Sequence, residues 1–188
     1  MGLPPHPCQG MRHPSREIVA EYLSYDPQTG IFRWVQMAGY RCKAGEIAGT
    51  IRNTSQRPAP HPSRSIQLFG IRYPASHIAW LLITGKWPAA DIDHRNHNAT
   101  DDRWKNLRLA TPVQNAQNTR VRADNTSGYK GVHPYKRGVR NQWVAQIGKQ
   151  HIGYFRTAEA AALAYDRKAQ ELYGEFAHLN LLPYHARD

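Results

Sequence analysis

An α+β protein is predicted. A small mixed N-terminal region leads into a ββα unit, and a three-stranded antiparallel sheet packed on one helix follows. Three observations predict this. Short alternating runs bounded by Gly, Pro, Asn and Asp recur along the chain, which marks brief strands. The helical runs are few and carry their own stop signals, such as Gly85 after SHIAWLLIT and Gly174 after AEAAALAYDRKAQELY. Between them, NTRVRADNTSG (118–128) is polar, basic and Gly-terminated, as a domain boundary would be.

Taken in order, residues 1–14 are rich in Pro and His, lack an apolar signal core and read as a disordered lead-in. Ser15 can cap a short helix with Ile18, Val19, Tyr22 and Leu23 on one side. In YDPQTGIFRW, Asp-Pro and Thr-Gly mark a turn, and Ile31, Phe32 and Trp34 begin a strand. GEIAGTI resembles a second short strand, NTSQRPAPHPSR a Pro-rich loop, and SIQLFGIRYP a hairpin turning near Gly70. SHIAWLLITGKWP is a helix ending at Gly85. Beyond the boundary, YKGVHPYKR, QWVAQIG and QHIGYF are strand-like. Alternation puts Trp143, Ala145 and Ile147 on one face, and Val144, Gln146 and Gly148 on the other. Thr157 caps the last helix, whose apolar stripe is Ala158, Ala161, Ala162, Tyr165, Ala169 and Leu172.

Composition narrows the function. The 188 residues carry 25 Lys plus Arg against 14 Asp plus Glu, a net charge of +11. A chain this basic suits a polyanion, with nucleic acid the first candidate. HIAWLLITG is far shorter than the ~20 apolar residues that span a bilayer. No amphipathic basic helix favours a membrane surface. Two cysteines, Cys8 and Cys42, make no disulfide framework and fit a reducing, intracellular setting.

The chemistry concentrates in DIDHRNHNATDDRWKNLRLATPVQNAQN. Asp93 and His94 are adjacent, Asn106 follows His94 by twelve residues, and Asn115 follows Asn106 by nine. A strand with Asp93 and His94, a polar loop, a strand near Leu107 to Leu109, and a helix with Asn115 make a ββα unit. Thr111 caps that helix and Pro112 occupies its first position. Such a unit can bring Asp93 and Asn115 together around one ion. Their hard oxygens suit Mg2+ or Mn2+. His94 would stand beside the metal as a neutral imidazole able to take a proton from water. Of the other polar residues, His97, Asn98, Asp101 and Asp102 could touch the ion but are expected to shape the turn or remain solvated. Arg103 and Arg108 either grip phosphate or pair with Asp101 and Asp102.

The stretch from YDPQTGIFRW through HIAWLLITGKWP to DIDHRN, DDRWKNLRLAT and QNAQN resembles the HNH endonuclease family, in its phage and intron-type homing branch with the ββα-metal fold. The resemblance implies that His94 is the general base, that Asp93 binds the metal, and that Asn106 braces the loop and orients the base. Asn115 would be the last motif position, which is commonly asparagine in this branch. Relatives often carry His-Arg where this chain has Ser76 and His77.

The words YKGV, WVAQI, IGYF, TAEAAALAYD and AHLN resemble the APETALA/ethylene-response-factor (ERF) DNA-binding domain. That family lays its sheet in the major groove of double-stranded DNA. Its reading positions fall on Lys130, His133, Tyr135, Gln146, Lys149 and His151. Several are arginine in the plant proteins, so the plant target sequence is not implied, because His and Tyr cannot copy the two-pronged arginine contact to guanine. Lys136, Arg137 and Arg140 lie in a turn and suit phosphate.

The expected organisation is therefore a lead-in (1–14), an HNH domain (15–118, with its ββα core at about 89–118), a linker (119–127), an ERF-type domain (128–180) and a tail (181–188). The function this implies is a metal-dependent DNA endonuclease with a tethered targeting sheet, in the cytoplasm or nucleoid of a bacterial or phage-infected cell. The rival is a sequence-specific DNA-binding regulator whose nuclease half is inactive.

Overall fold

The computed structural model describes residues 13–37, 42–53, 62–119, 121, 124–135 and 142–181. The chain divides into two compact units, Met1–Ala110 and Thr111–Asp188. Both mix helices with antiparallel sheets, as expected.

In the first unit, Ser15 caps α1 (Arg16–Tyr22) by accepting from Ile18 N. The chain then extends at once into β1 (Leu23–Asp26), which pairs with β2 (Ile31–Trp34) around the Asp-Pro turn. β1 is not among the predicted strands, because only Leu23 of its four residues is buried and carries an apolar signal. The strand expected over GEIAGTI starts later, as β3 (Thr50–Asn53). The residues before it follow β2 instead. Trp34 N donates to Glu46 O at 3.0 Å, and Ala48 N to Phe32 O at 2.8 Å. β4 (Pro62–Leu68) and β5 (Ile71–Pro74) form the expected hairpin, giving a β3-β4-β5 sheet.

Helix α2 (Ala75–Thr84) follows, closed by Gly85, whose N–H donates to Leu81 O. Its inner face of Ala75, Ile78, Ala79 and Leu81 meets Ile66, Leu68 and Tyr73 from the sheet, and Val19, Leu23 and Phe32 from the N-terminal elements. This core underlies β6 (Asp91–His94) and β7 (Leu107–Ala110), an antiparallel pair in which Asp93 is opposite Arg108. A short 3-10 turn, Trp104–Asn106, delivers the chain into β7.

The second unit opens with α3 (Pro112–Gln117). The side chain of Thr111 accepts from Gln114 N, and Thr111 N donates to Gln114 Oε1, a reciprocal capping box. β8 (Val132–Pro134), β9 (Trp143–Ile147) and β10 (Gln150–Phe155) form one antiparallel sheet with β9 central. Helix α4 (Ala158–Tyr173) covers one face of it, capped by Thr157. Ala158, Ala161, Ala162, Tyr165 and Ala169 are buried against Val132, Ala145 and Ile147, as the stripe predicts. Leu172 departs from it and is 48% exposed. The fully buried polar residue of α4 is Asp166, whose oxygens accept from Asn180 N and Leu181 N at 2.7 Å and tie those two residues to the helix.

Candidate active site and nucleic-acid face

Strand β6 sets Asp93 and His94 side by side, and β6–β7 pairing decides what they meet. Asp93 is buried, and Arg108 Nε donates to its Oδ2 at 2.8 Å while Arg108 Nη2 stands 2.6 Å from the same oxygen. Arg108 thus departs from expectation. It is 5% exposed and pairs with Asp93, not with Asp101 or Asp102, because the antiparallel register puts it directly across the strand pair. A guanidinium so enclosed is not presented to a DNA phosphate. His94 is mostly buried, with Nε2 3.4 Å from Asp102 Oδ1.

Asn106 braces the loop between the strands. Its Oδ1 accepts from Asn96 N at 2.9 Å, and its Nδ2 donates to Asp101 O at 2.7 Å. Its backbone carbonyl also accepts from Arg95 N. Asn98 accepts from Thr100 N and Thr100 Oγ1, the turn-shaping part foreseen for it. Arg103 takes the pairing alternative, donating from Nε to Asp101 Oδ1 at 2.7 Å and from Nη2 to Asp101 Oδ2. Ser76 is buried on α2. His77 is half-buried, and loss of water around its imidazole lowers its pKa, partly opposed by Asp91.

The Arg103 hydrogen bonds hold the Asp101 carboxyl at about 2, below its ordinary 3.8, with Asn96 Nδ2 helping from 2.6 Å. A lowered folded value means the stabilisation is whole above the ordinary carboxylate value and drains away as pH falls toward 2. Urea midpoints taken at pH 5 and pH 2.5 should therefore converge between wild type and Asp101→Asn. Wild type should be the more stable at pH 5 and lose that advantage in acid.

Among the described residues, no group of three or more His, Cys, Asp and Glu side chains could hold an ion. In the first unit, Asp93 offers the hard oxygen of a carboxylate beside His94. Asn115 lies on α3 of the second unit, with its N–H bonded to Thr111 O. A hard carboxylate oxygen such as that of Asp93 suits a cation that keeps most of its shell as water and phosphate oxygen, as Mg2+ does, better than it suits zinc.

In the second unit, Trp143, Ala145 and Ile147 face α4, and His133, Val144 and Tyr154 form a row across the opposite face. His133 and His151 are exposed there, and Lys149 is exposed in the β9–β10 turn. Tyr135 and His151 lean on Tyr154 at ring separations of 4.9 and 4.6 Å. Val144, at 5% exposure, is more enclosed than an outward position suggests. Gln146 Nε2 donates to Gly148 O, which ties its amide to the turn. Lys130 is placed differently. Its ammonium is turned inward to Gln117 O and Thr119 O at 2.7 and 2.8 Å, and burial pulls its pKa down to about 8. Lys136, Arg137 and Arg140 lie outside the described residues.

Two residues of interest escaped the sequence. Asp102 was expected to shape the turn or remain solvated, yet it is 2% exposed and faces His94. Tyr154 was missed because β10 breaks its alternation. A register shift between His151 and Gly153 turns Ile152 and Phe155 to the core, and His151 and Tyr154 outward. Three-residue spacing of the apolar positions in QHIGYF was the available signal.

One unit thus holds a buried strand-pair acid beside a histidine, and the other a sheet with a basic and aromatic outer face. Comparison with known proteins gives the class. The HNH endonuclease profile matches residues 73–117. Protein 3.8 of Escherichia phage T7 is 39% identical over 110 residues, covering 55% of this chain and 88% of that protein. An uncharacterized HNH endonuclease of Acanthamoeba polyphaga mimivirus is 38% identical over 106 residues, covering 55% of this chain and 54% of the relative. The chain thus spans about half the length of the mimivirus protein. Dehydration-responsive element-binding protein 2D of Arabidopsis thaliana is 46% identical over 65 residues, 31% of this chain and 30% of the plant protein. No solved structure matches significantly. The chain belongs to the HNH endonuclease family, here joined to a C-terminal segment of the ERF type.

Proposed function

We propose that the protein is a divalent-metal DNA endonuclease of homing type, carried to its target by the C-terminal sheet. The observation that supports it most is the pair on β6. Asp93 is fixed by Arg108, and its neighbour His94 is held at Asp102. Asp93 would be a ligand of the ion, and the family resemblance gives Asn115 the second ligand position. A bound Mg2+ or Mn2+ would offset the negative charge gathering on the phosphoryl and leaving oxygens.

The chain's own residues supply the rest. His94 takes a proton from water, and the hydroxide attacks phosphorus. A new P–O bond forms as the bond to the 3′ oxygen breaks, and that oxygen takes up a proton from solvent, leaving 5′-phosphate and 3′-hydroxyl ends. Arg108 engages one oxygen of Asp93 and so limits how the carboxylate can turn. Asn106 keeps the 95–106 loop closed over β6. A lone site of this kind cuts one strand, and cutting both requires a dimer or two successive events.

For the second unit, His133, Tyr135, Gln146, Lys149 and His151 would meet double-stranded DNA, with Tyr154 added to them. Tethering such a surface raises the effective concentration of the site at a preferred sequence. A sequence-specific binder with an inactive nuclease half is the competing reading. Supercoiled plasmid separates the two: with Mg2+ the protein should convert it to the nicked form, and with excess chelator it should not. A protein that retards the plasmid yet never nicks it, with Mg2+ or with Mn2+, is the regulator and not the nuclease.

A further inference from the structure

Asp102 belongs to the loop, but its surroundings come from elsewhere in the fold. Its two oxygens face different partners. Oδ1 lies 3.4 Å from His94 Nε2, and Oδ2 lies 3.5 Å from Arg64 Nε on β4. The Asp102 side chain is 1% exposed, so solvent does little to soften either contact. The backbone around it is pinned from the N-terminal hairpin. Tyr25 Oη donates to Asp102 O at 2.7 Å, and Trp104 N donates to Pro27 O at 3.0 Å. Gly30 lets the hairpin close on the loop, since a Cβ there would stand 2.5 Å from Arg103 N and 2.7 Å from the Asp102 carbonyl carbon. Strands β1, β2 and β4 all precede the residues that match the family profile.

We propose that Asp102 is a positioning residue for His94, aimed by Arg64, Tyr25 and the Gly30 turn. This rests on the nuclease reading above. A carboxylate only accepts hydrogen bonds, so it favours the tautomer with the proton on Nε2. The lone pair then resides on Nδ1, which makes Nδ1 the nitrogen that takes the proton from water. Arg64 can only donate, and it fixes which carboxylate oxygen is left for the imidazole.

Asp102→Asn turns this into a sharp test, because it keeps the shape and changes the polarity. Arg64 claims the amide oxygen, which turns the NH2 group toward His94. Nε2 must then accept, and the proton moves to Nδ1, where it blocks the base. In plasmid nicking, kcat should fall on the order of 100-fold with KM within about twofold of wild type. A purely structural lesion would not move the second readout, the imidazole nitrogen spectrum of 15N-histidine-labelled full-length protein. His94 should be the Nε2–H tautomer in wild type and the Nδ1–H tautomer in Asp102→Asn.

Wild-type cutting by the Asn protein, or an unchanged His94 tautomer, overturns the assignment. Should the Asn protein fail to fold, the wild-type spectrum decides: Nδ1–H at His94 overturns it and Nε2–H sustains it. If His94→Ala cuts as fast as wild type, the nuclease reading is what fails. The tautomer switch then still decides whether Asp102 sets the imidazole.

Discussion

His94→Ala should nick plasmid roughly a thousand-fold more slowly than wild type while binding the same DNA with unchanged affinity. A positioned general base contributes about 100- to 10,000-fold, and nothing else adjacent on β6 can take its place. Its neighbour Asp93 is an acid already engaged by Arg108. The side chain of His94 is only 12% exposed, but it is bounded by a loop that Asn106 secures independently, so the truncation should leave the fold intact. Single-turnover rates at saturating protein, set beside filter-binding curves, would check both halves of the statement. A variant that cuts at more than about a tenth of the wild-type rate places the base elsewhere.

Gly131→Ala should unfold the second unit at a temperature where wild type is folded. At Gly131 the backbone has φ +71°, and an added Cβ would stand 2.2 Å from the Tyr165 ring and 2.5 Å from Gln146 O. The left-handed backbone costs a side chain about 1–2 kcal/mol. Forcing an atom into a packed contact adds about 1–3 kcal/mol. Tyr165 is buried in α4 and Gln146 O belongs to the central strand, so neither can give way without parting sheet from helix. A combined loss of about 3 kcal/mol corresponds to a fall of roughly 12–24 °C in melting temperature for a unit of this size. Circular dichroism melts would show it, and plasmid retention should fail over the same temperature range. A shift under 5 °C would mean that the ring and strand yield more easily than their packing implies.

How far these features could be seen in advance depended on whether their cause was local. The caps were legible: Ser15, Thr111 with Pro112, and Thr157 each act on the next turn of chain. So were the Phe69-Gly70 turn, the strand bearing Asp93 and His94, and the alanine stripe of α4, since periodicity alone dictates them. The failures were tertiary. β1 exists because β2 pairs with it, and its own composition is nearly silent. Arg108 looked suited to Asp101 or Asp102, its neighbours in the chain, but cross-strand register gave it Asp93. Asp102 looked solvated because the Arg64 and Tyr25 that enclose it are distant in sequence. Tyr154 was hidden by a single irregularity in one strand.

The nuclease motif does not carry its own interior. Leu107 at the start of β7 shares its hydrophobic cluster with Val19, Leu23, Phe32 and Ile66, all of which precede residue 73. Grafting this cleavage module onto another targeting protein would therefore require a cut ahead of Ser15. A transplant beginning at Tyr73 would expose apolar side chains with nothing to cover them, and should precipitate when expressed alone.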